Sequence, residues 1–185
     1  MNLQRIALLC ALAPGLAWSA SWQSASPSTL AFEGAAQGES FSGEFRQFSA
    51  RVDFDADNLA TTRFEVDIDL GSADSQNAER DELLREEAFF DIANQPAARF
   101  VAVGAEPEGD GYLSRGTLSL KDHSRAVNFR FRFSETASGA QLVGEAVLDR
   151  TDFGVGSGDW EDAETIDHRV KVSTTLTLVP VPAAP

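Results

Sequence analysis

The chain has 185 residues, with 15 Lys and Arg against 29 Asp and Glu and a formal net charge of −14. Hydrophobic residues make up 43% and charged residues 24%, which is typical of one globular domain. A chain this acidic repels phosphate groups, so nucleic-acid binding is excluded and docking on an anionic membrane is disfavoured.

The first residues have the features of a secretory signal peptide. Arg5 supplies a positive charge, residues 6–13 are apolar, and Ala17 and Ser19 are small residues at positions −3 and −1 of a cleavage site. The apolar run is too short to span a bilayer. The only cysteine, Cys10, lies inside this run, so we expect a mature chain without disulfides.

The chain is therefore predicted to have three segments. Residues 1–19 are a cleaved signal peptide, residues 20–179 form one β-barrel domain, and residues 180–185 are a C-terminal tail. No later segment has 18 consecutive apolar residues, so no transmembrane segment is predicted in the mature chain. Export by a signal peptide predicts a location in the periplasm.

Apolar and polar residues alternate along most of the mature chain, which is typical of antiparallel strands with one buried face. The strongest alternation covers residues 48–54, 64–70, 127–133 and 170–178. Weaker strands are predicted at residues 29–33, 40–45, 98–104, 113–120 and 141–149. These segments predict an all-β fold with eight or nine strands.

One segment has a different pattern. Residues 77–90 are rich in Glu, Arg, Leu and Ala, with Leu83, Leu84 and Ala88 at near-helical spacing and Pro96 soon after. This predicts a short helix. A series of strands with one helical insertion favours a closed barrel, because closure removes exposed strand edges. We predict a single antiparallel eight-stranded barrel whose interior is filled by side chains or holds one small ligand.

Two blocks of sequence carry a resemblance to a known family. Residues 79–85 read Glu-Arg-Asp-Glu-Leu-Leu-Arg and are followed by Phe-Phe-Asp at residues 89–91. Residues 150–156 read Arg-Thr-Asp-Phe-Gly-Val-Gly. With these blocks the chain resembles the YceI family of bacterial secreted proteins over nearly all of its mature length. It departs from the family pattern at residues 120–127, where Asp122 replaces a glycine and Ala126 a proline.

The resemblance implies a lipocalin-like barrel that binds a long isoprenoid lipid inside, such as a quinone or a polyprenyl phosphate. It also implies a membrane b-type cytochrome as a partner, because members of the family are often encoded near such cytochromes. A homodimer is a further expectation.

The aromatic composition agrees with an apolar interior. The chain has 13 Phe against one Tyr, and Phe has no polar group that would need a partner in such an interior. The residues predicted to contact the ligand are Phe32, Phe45, Phe48, Val52, Phe54, Phe64, Val66, Ile68, Phe89, Phe90, Phe100, Leu118, Phe129, Phe131, Phe153 and Val172.

Three polar residues are predicted at the mouth of the barrel. Arg80 and Asp81 are either gatekeepers there or part of an ion-pair network that fixes the helix. Arg125 belongs to the only basic stretch, residues 121–132, which is either a headgroup site or a strand face whose arginines meet carboxylates of a neighbouring strand. The overall negative charge favours a neutral, quinone-like headgroup over a pyrophosphate.

No catalytic or metal site is predicted. His123 and His168 have no second ligand at helical or strand spacing, and the chain has no nucleophile elbow or triad. We therefore predict a binding protein with no cofactor and no enzyme activity. One alternative is a barrel filled by its own side chains that acts through its surface, as a stress-related or interaction protein. Another is a carbohydrate-active enzyme with two facing carboxylates.

Overall fold

The computed structural model of the chain describes residues 20–182, and the predicted signal peptide lies outside this range. The strands are β1 (Ala20–Ala36), β2 (Glu39–Phe45), β3 (Phe48–Phe54), β4 (Arg63–Asp69), β5 (Ala73–Asp74), β6 (Ala97–Val103), β7 (Glu106–Glu108), β8 (Gly111–Leu120), β9 (His123–Thr136), β10 (Gly139–Asp149) and β11 (Arg169–Pro180). The α-helix is α1 (Ala78–Arg85), and the 3-10 helices are Leu59–Thr61, Leu70–Ser72, Arg150–Phe153 and Gly158–Trp160.

Eight of these strands form a closed antiparallel barrel. Their order is β1-β3-β4-β6-β8-β9-β10-β11, and pairing of β11 with β1 closes the ring. Three additional strands lie outside the ring: β2 pairs with the second half of β1, β5 pairs with β2, and β7 pairs with the start of β8. The structure confirms the predicted eight-stranded barrel with a short helical insertion.

The long strand β1 divides the barrel into two halves. Its first residues pair with β3, with Trp22 opposite Val52, whereas its last residues pair with β2, with Phe32 opposite Gly43. The wall at one end of the barrel is therefore extended by β2 and β5. The helix α1 follows β5 directly in the chain and packs beside it, so the only α-helix of the described residues lies at this end.

The helix is shorter than the predicted range of 77–90. It begins after Asn77, whose side chain accepts a hydrogen bond from the Arg80 N–H at 3.0 Å and so caps the first turn. It ends at Arg85, after which the Phe90 N–H bonds back to the Leu84 carbonyl. Ending the helix there lets both Phe89 and Phe90 enter the barrel, where they are buried.

The interior contains two clusters of buried residues. At the end opposite α1, which we call the packed end, aromatic rings fill the barrel: the Phe54 centroid lies 4.5 Å from Phe133, 5.1 Å from Tyr112 and 5.7 Å from Phe131. The second cluster lies between the strands and α1 and contains Phe32, Phe45, Phe89 and Phe90 among others. We call this half the open end, because it holds a cavity.

Candidate ligand-binding cavity

A cavity of about 500 Å³ occupies the open end of the barrel. This volume lies within the range of roughly 300–1,000 Å³ that is usual for small-molecule sites. Inward-facing side chains of the barrel strands, of β2 and of α1 form the wall, and most of them are aliphatic or aromatic. The cavity can therefore exclude water from an apolar ligand without offering it many directional contacts.

The structure places 13 of the 16 predicted contact residues on this wall. They come from β1–β4, β6, β8, β9 and β11, from the turn after α1 and from the 3-10 helix 150–153. They are Phe32, Phe45, Phe48, Phe64, Val66, Ile68, Phe89, Phe90, Phe100, Leu118, Phe129, Phe153 and Val172.

The other three predicted residues do not reach the cavity. Val52, Phe54 and Phe131 face the barrel interior but belong to the cluster at the packed end. The space in front of them is filled by neighbouring rings, including Phe133 at 4.5 Å from Phe54. The prediction differed from the structure here because it selected inward-facing residues along the whole length of the barrel, whereas the barrel is hollow over only half of that length.

Other wall residues were absent from the prediction. Leu30 and Leu142 belong to strands whose alternation marked them as inward-facing, so the same signal could have identified them. Trp160 and Ile166 lie in the acidic segment after β10 and also line the cavity. That segment has no periodic pattern, and nothing in the sequence indicated that it would fold over the barrel.

Four phenylalanines of the wall cover a glycine on the neighbouring strand. A Cβ atom added to any of these glycines would overlap the ring: Phe32 covers Gly43, Phe41 covers Gly34, Phe100 covers Gly116 and Phe129 covers Gly144. Each ring occupies the space that a side chain on the next strand would otherwise take. This arrangement keeps large aromatic groups close to the wall and leaves the centre of the open end empty.

The mouth of the cavity is formed by polar wall residues that reach solvent on three segments. Gln37 lies between β1 and β2, Asn77, Glu79 and Arg80 lie at the start of the helix, and Thr165 and Asp167 precede β11. The Gln37 N–H donates to the Thr165 carbonyl at 3.0 Å. The segment before β11 is thus attached to the end of β1. Away from this edge the uncharged polar wall residues are Ser173 and Thr174 of β11, and the Thr174 hydroxyl already donates to the Thr29 carbonyl at 2.7 Å.

Arg80 supplies the cationic group of the mouth. Its Nε donates to the Ser75 hydroxyl at 2.8 Å and its Nη2 to the Ser75 carbonyl at 3.2 Å, and its guanidinium carbon lies 4.6 Å from the centre of the Phe41 ring. The ring position is typical of a cation–π contact. Arg80 lines the cavity and forms no ion pair with a carboxylate of residues 20–182, so no carboxylate of that range competes for its remaining N–H groups.

The Asp81 side chain does not line the cavity and is connected to the Arg80 side chain only through Ser75. Its Oδ1 accepts hydrogen bonds from the Ser75 N–H at 2.8 Å and the Ser75 hydroxyl at 2.6 Å. Ser75 is 5% exposed, so Asp81 fixes the hydroxyl that in turn orients Arg80. The two predicted mouth residues are therefore linked through a serine that sequence reasoning did not single out.

Arg125 lies away from the mouth, contrary to the prediction. It is exposed on β9 and donates from Nη1 to the Ser124 carbonyl at 3.1 Å. Arg125 has the parity of the inward-facing Val127 and lies opposite the wall residue Leu118, but it is exposed and does not line the cavity.

The other arginines of the basic stretch are already paired. Arg130 forms an ion pair with Glu108 at 2.7 Å and Arg132 with Asp110 at 2.8 Å, both contributed by the β7–β8 hairpin. The hydrogen bond from Arg132, together with its charge, holds the pKa of Asp110 below its usual value. The stretch is a paired strand face and not a headgroup site.

Arg150 is a buried wall residue whose role the sequence did not reveal. It is 5% exposed, and burial lowers its pKa. No carboxylate of the described residues pairs with it. Its five N–H groups instead donate, at 2.7–3.1 Å, to the carbonyl oxygens of Val155, Gly156, Trp160, Ile166 and Asp167. Because all five donors are used, Arg150 holds the segment over the cavity and has none left for a ligand.

Metal ligation finds no support in the described part of the chain. Among residues 20–182, no three His, Cys, Asp or Glu side chains lie close enough together to hold an ion. His168 Nε2 lies 2.8 Å from the Glu161 carbonyl, and His123 Nδ1 is buried without a partner. In the same range no helix is both long enough and apolar enough to cross a membrane.

Comparison with known sequences gives one family. The model of the YceI-like domain matches residues 23–178. A UPF0312 protein of Shewanella denitrificans is 37% identical over 89 residues, or 48% of this chain and 47% of that protein. The UPF0312 protein plu2095 of Photorhabdus laumondii is 33% identical over 85 residues, or 46% of this chain and 44% of that protein. The matched part thus spans about half the length of these curated relatives.

Solved structures share the fold. BcnA of Burkholderia cenocepacia superposes with a TM-score of 0.77 at 24% identity, covering 83% of this chain and 96% of that one. A domain from Saccharophagus degradans is described as polyisoprenoid binding and implicated in plant cell wall breakdown. It superposes with a TM-score of 0.68 at 15% identity, covering 89% of this chain and 100% of that one. The Campylobacter jejuni YCEI protein superposes with a TM-score of 0.62 at 19% identity, covering 76% of this chain and 84% of that one. At these identities the similarity establishes the barrel architecture.

Proposed function

The chain belongs to the YceI family, and on this premise we propose that its barrel binds an isoprenoid lipid, with the tail in the cavity and the headgroup at the mouth. The observation that carries the proposal is the apolar cavity of about 500 Å³ whose exposed polar groups lie at one edge. An isoprenoid tail is apolar and needs no directional partner, so burial in such a cavity is favourable. The polyisoprenoid-binding domain of Saccharophagus degradans, which has the same fold, supports this ligand class.

We propose that the protein binds its ligand without transforming it. The two cations on the wall are Arg80 and Arg150, and all N–H groups of Arg150 are already bonded to carbonyl oxygens. The carboxylates on the wall, Glu79 and Asp167, lie at the exposed mouth and not around a point deep in the cavity. An enzyme would need catalytic groups that converge on one reacting atom of a bound substrate.

For the headgroup we propose a neutral, quinone-like group. The carbonyl oxygen of such a group can accept a hydrogen bond from Arg80, while Glu79 and Asp167 at the same mouth would repel a pyrophosphate. The net charge of −14 also disfavours an anionic headgroup. With tails of equal length, a quinone should bind more tightly than a polyprenyl pyrophosphate, and the reverse order would contradict this choice of headgroup.

The site of action is proposed from the sequence. The predicted signal peptide and the resemblance to secreted proteins favour the periplasm. A membrane b-type cytochrome as partner and a homodimer stay predictions from the family resemblance. The alternative of a barrel filled by its own side chains is disfavoured, because only the packed end is filled.

Mass spectrometry of organic extracts tests the proposal directly. The protein would be purified without detergent from its native host, and we expect an isoprenoid in stoichiometric amount. The matched variants are Ala146→Phe, which adds a ring on the cavity wall, and Val147→Phe, at the next position of β10, where Val147 is 43% exposed on the outer face.

The two variants should separate cavity binding from surface binding. Ala146→Phe should lose most of the co-purified lipid because the new ring occupies the cavity, whereas Val147→Phe should retain it. A clean extract from the wild-type protein, repeated after incubation with quinones and prenols, would contradict the proposed function. Equal retention of lipid by both variants would contradict its location in the cavity.

A further inference from the structure

We infer that Ser75 and Asp81 are positioning residues for the ligand headgroup, because they fix the Arg80 guanidinium at the mouth before a ligand binds. In this arrangement the protein distinguishes an isoprenoid with a hydrogen-bond acceptor in its headgroup from a bare isoprenoid hydrocarbon. The inference rests on the proposed function and deepens it by naming the residues on which headgroup recognition depends. Neither Ser75 nor Asp81 lines the cavity, whereas Arg80 does, so both act through Arg80.

Arg80 keeps N–H groups that a ligand can use. A guanidinium has five N–H groups. The Nε of Arg80 donates to the Ser75 hydroxyl at 2.8 Å and Nη2 donates to the Ser75 carbonyl at 3.2 Å, and no acceptor within residues 20–182 takes the other three N–H groups. The second cation of the wall, Arg150, has all its N–H groups bonded to carbonyl oxygens. Of these two cations, Arg80 is therefore the one that can donate to a headgroup.

Asp81 fixes the direction of the Ser75 hydroxyl. A hydroxyl has one proton to donate, whereas a carboxylate only accepts. The Ser75 hydroxyl donates to Asp81 Oδ1 at 2.6 Å, and the Ser75 N–H donates to the same oxygen at 2.8 Å. With its proton directed to Asp81, the hydroxyl oxygen presents its lone pairs to the Nε of Arg80. Without the carboxylate the hydroxyl can rotate, and the Arg80 side chain loses a fixed acceptor.

Further contacts hold the guanidinium and the loop that carries Ser75. The guanidinium carbon of Arg80 lies 4.6 Å from the centre of the Phe41 ring, so one face of the group is covered. The loop between β5 and α1 is closed by the Gln76 N–H, which donates to Asp74 Oδ1 at 2.8 Å. Immobilising a flexible side chain during binding lowers the affinity. Because Arg80 is held in advance, a headgroup that accepts from it gains more affinity than it would from a mobile arginine.

Asp81 can influence a headgroup in two ways, and the two predict opposite effects of its removal. If Asp81 acts only through its negative charge, Asp81→Ala strengthens the binding of an acceptor headgroup, because the mouth becomes less negative. If Asp81 positions Arg80, the same variant weakens that binding. Asp81→Asn separates the two roles, since the amide has no charge but its oxygen can still accept from the Ser75 N–H and hydroxyl.

The test compares two ligands that differ only in the headgroup: a benzoquinone that carries three isoprene units, and the hydrocarbon with the same tail. Both Kd values are measured by displacement of N-phenyl-1-naphthylamine, an apolar fluorescent probe. The headgroup preference is the Kd of the hydrocarbon divided by the Kd of the quinone. We expect a preference of about tenfold in the wild-type protein, because hydrogen bonds to a charged donor are strong. Arg80→Met should abolish the preference.

Variants of the positioning residues should change the preference and not the affinity for the tail. Ser75→Ala and Asp81→Ala should lower the preference by roughly threefold or more, while the Kd of the hydrocarbon stays unchanged. Asp81→Asn should retain the preference. The matched control is Glu82→Ala, because Glu82 is exposed on the same helix, pairs with Arg85 at 3.7 Å and does not line the cavity. A general disturbance of the helix would weaken the binding of both ligands together.

NMR spectroscopy tests the positioning without a ligand. The Nε–H proton of Arg80 is hydrogen-bonded to Ser75, whereas Arg125 is exposed and donates only from Nη1 within the described range. We expect the Arg80 Nε–H to exchange with water more slowly than the Arg125 Nε–H. Ser75→Ala and Asp81→Ala should remove this protection, and Asp81→Asn should keep it. Thermal melting of each variant would establish that it is folded.

The outcomes separate this inference from the proposed function. If neither ligand binds the wild-type protein, the proposed function is wrong and the inference falls with it. If both ligands bind with equal Kd, the tail is bound but the headgroup is not recognised, and the inference alone is wrong. A folded Asp81→Ala variant with an undiminished or higher preference would also overturn it. Where that variant fails to fold, an Arg80→Met variant that keeps the preference, or a wild-type Arg80 Nε–H that exchanges as fast as that of Arg125, would contradict the inference.

Discussion

Arg150 illustrates how a buried charge can be stabilised without a counter-charge. Its planar guanidinium has five N–H groups, and the carbonyl oxygens that accept them come from the segment between residues 155 and 167. Hydrogen bonds to a charged donor contribute more than neutral ones. These bonds hold a segment with no periodic pattern over the cavity, so a residue that contacts no ligand determines the position of Trp160 and Ile166 on the wall.

We expect replacement of Arg150 to destabilise the protein strongly. Arg150→Met leaves several buried carbonyl oxygens without donors and should lower the free energy of unfolding by roughly 3–5 kcal/mol. Arg150→Lys keeps the charge but offers only three donors, so it should lower the free energy of unfolding by an intermediate amount. Denaturant unfolding measures both variants. Arg125→Met, at an exposed residue of β9, is the control, and an Arg150→Met variant as stable as this control would contradict the structural role.

At the scale of strands, the outer face of β4 and β6 carries a ladder of charges. Glu65 on β4 contacts Arg63 on the same strand at 2.5 Å and Arg99 on β6 at 3.0 Å, and Arg99 also reaches Asp67 at 2.7 Å. The hydrogen bond and the charge of Arg63 lower the pKa of Glu65, with a smaller contribution from Arg99. A carboxylate with a lowered pKa in the folded state stabilises that state wherever it is ionised.

The effect of Glu65→Gln should therefore depend on pH in a defined direction. The stabilisation from Glu65 is present above the pKa of an unfolded Glu, about 4.3, and is lost as the pH falls through the lower pKa of the folded state. The variant should melt at a lower temperature than the wild-type protein near neutral pH, and the difference should vanish in strong acid.

The control for this prediction is Glu135→Gln, since Glu135 is exposed on β9 and has no ion pair within residues 20–182. It should not lower the melting temperature relative to the wild-type protein at any pH, because no ion pair is lost. If the melting temperature of Glu65→Gln lies below that of the wild-type protein by the same amount from neutral pH to strong acid, the carboxylate charge is not the source of the difference.

The strands were predictable because alternation is a local property, but the boundary between the two halves was not. On β3, Phe48 and Ala50 line the cavity, whereas Val52 and Phe54 continue the same alternation into the packed end. Nothing along β3 marks the change, because the rings that fill the space come from β1, β8 and β9. Local pattern therefore identifies inward-facing residues, and only tertiary packing decides which of them face an empty space.

The glycines behind the aromatic rings escaped prediction for a related reason. Gly144 lies in a strand pattern where glycine ordinarily signals a bulge or close backbone approach. Its pairing with Phe129 depends on the register of β9 and β10, in which Gly144 lies opposite Phe131. Register is set by the whole barrel, so the sequence alone could not connect a glycine with the ring that covers it.

At the scale of the whole molecule, the two halves of the barrel have different roles. The packed end contains most of the fully buried large side chains, including Phe64, Leu142 and Leu178. Residues 20–182 contain no cysteine, so this part of the fold depends on packing rather than on disulfides. The filled half can stabilise the barrel and leave the other half free to hold an open cavity, which contributes less packing than a filled core would.

The surface charge is the other property of the whole molecule. Acidic residues outnumber basic ones by 29 to 15, so after the arginines have formed ion pairs many carboxylates remain without a partner. Their mutual repulsion destabilises the compact state, whereas exposed ion pairs contribute little each. Salt screens both effects, with a Debye length of about 10 Å at 0.1 M. Because repulsion dominates, added salt should stabilise this protein.

We expect the melting temperature to rise by several degrees between about 0.05 and 0.5 M NaCl, as screening shortens the range of repulsion. A variant with Asp159→Asn, Glu161→Gln and Glu164→Gln should melt higher at low salt and respond less to NaCl. All three side chains are exposed on the segment between β10 and β11, in which acidic residues are frequent. A melting temperature that stays flat or falls with NaCl would show that the ion pairs, and not the excess of carboxylates, control the electrostatic stability of the barrel.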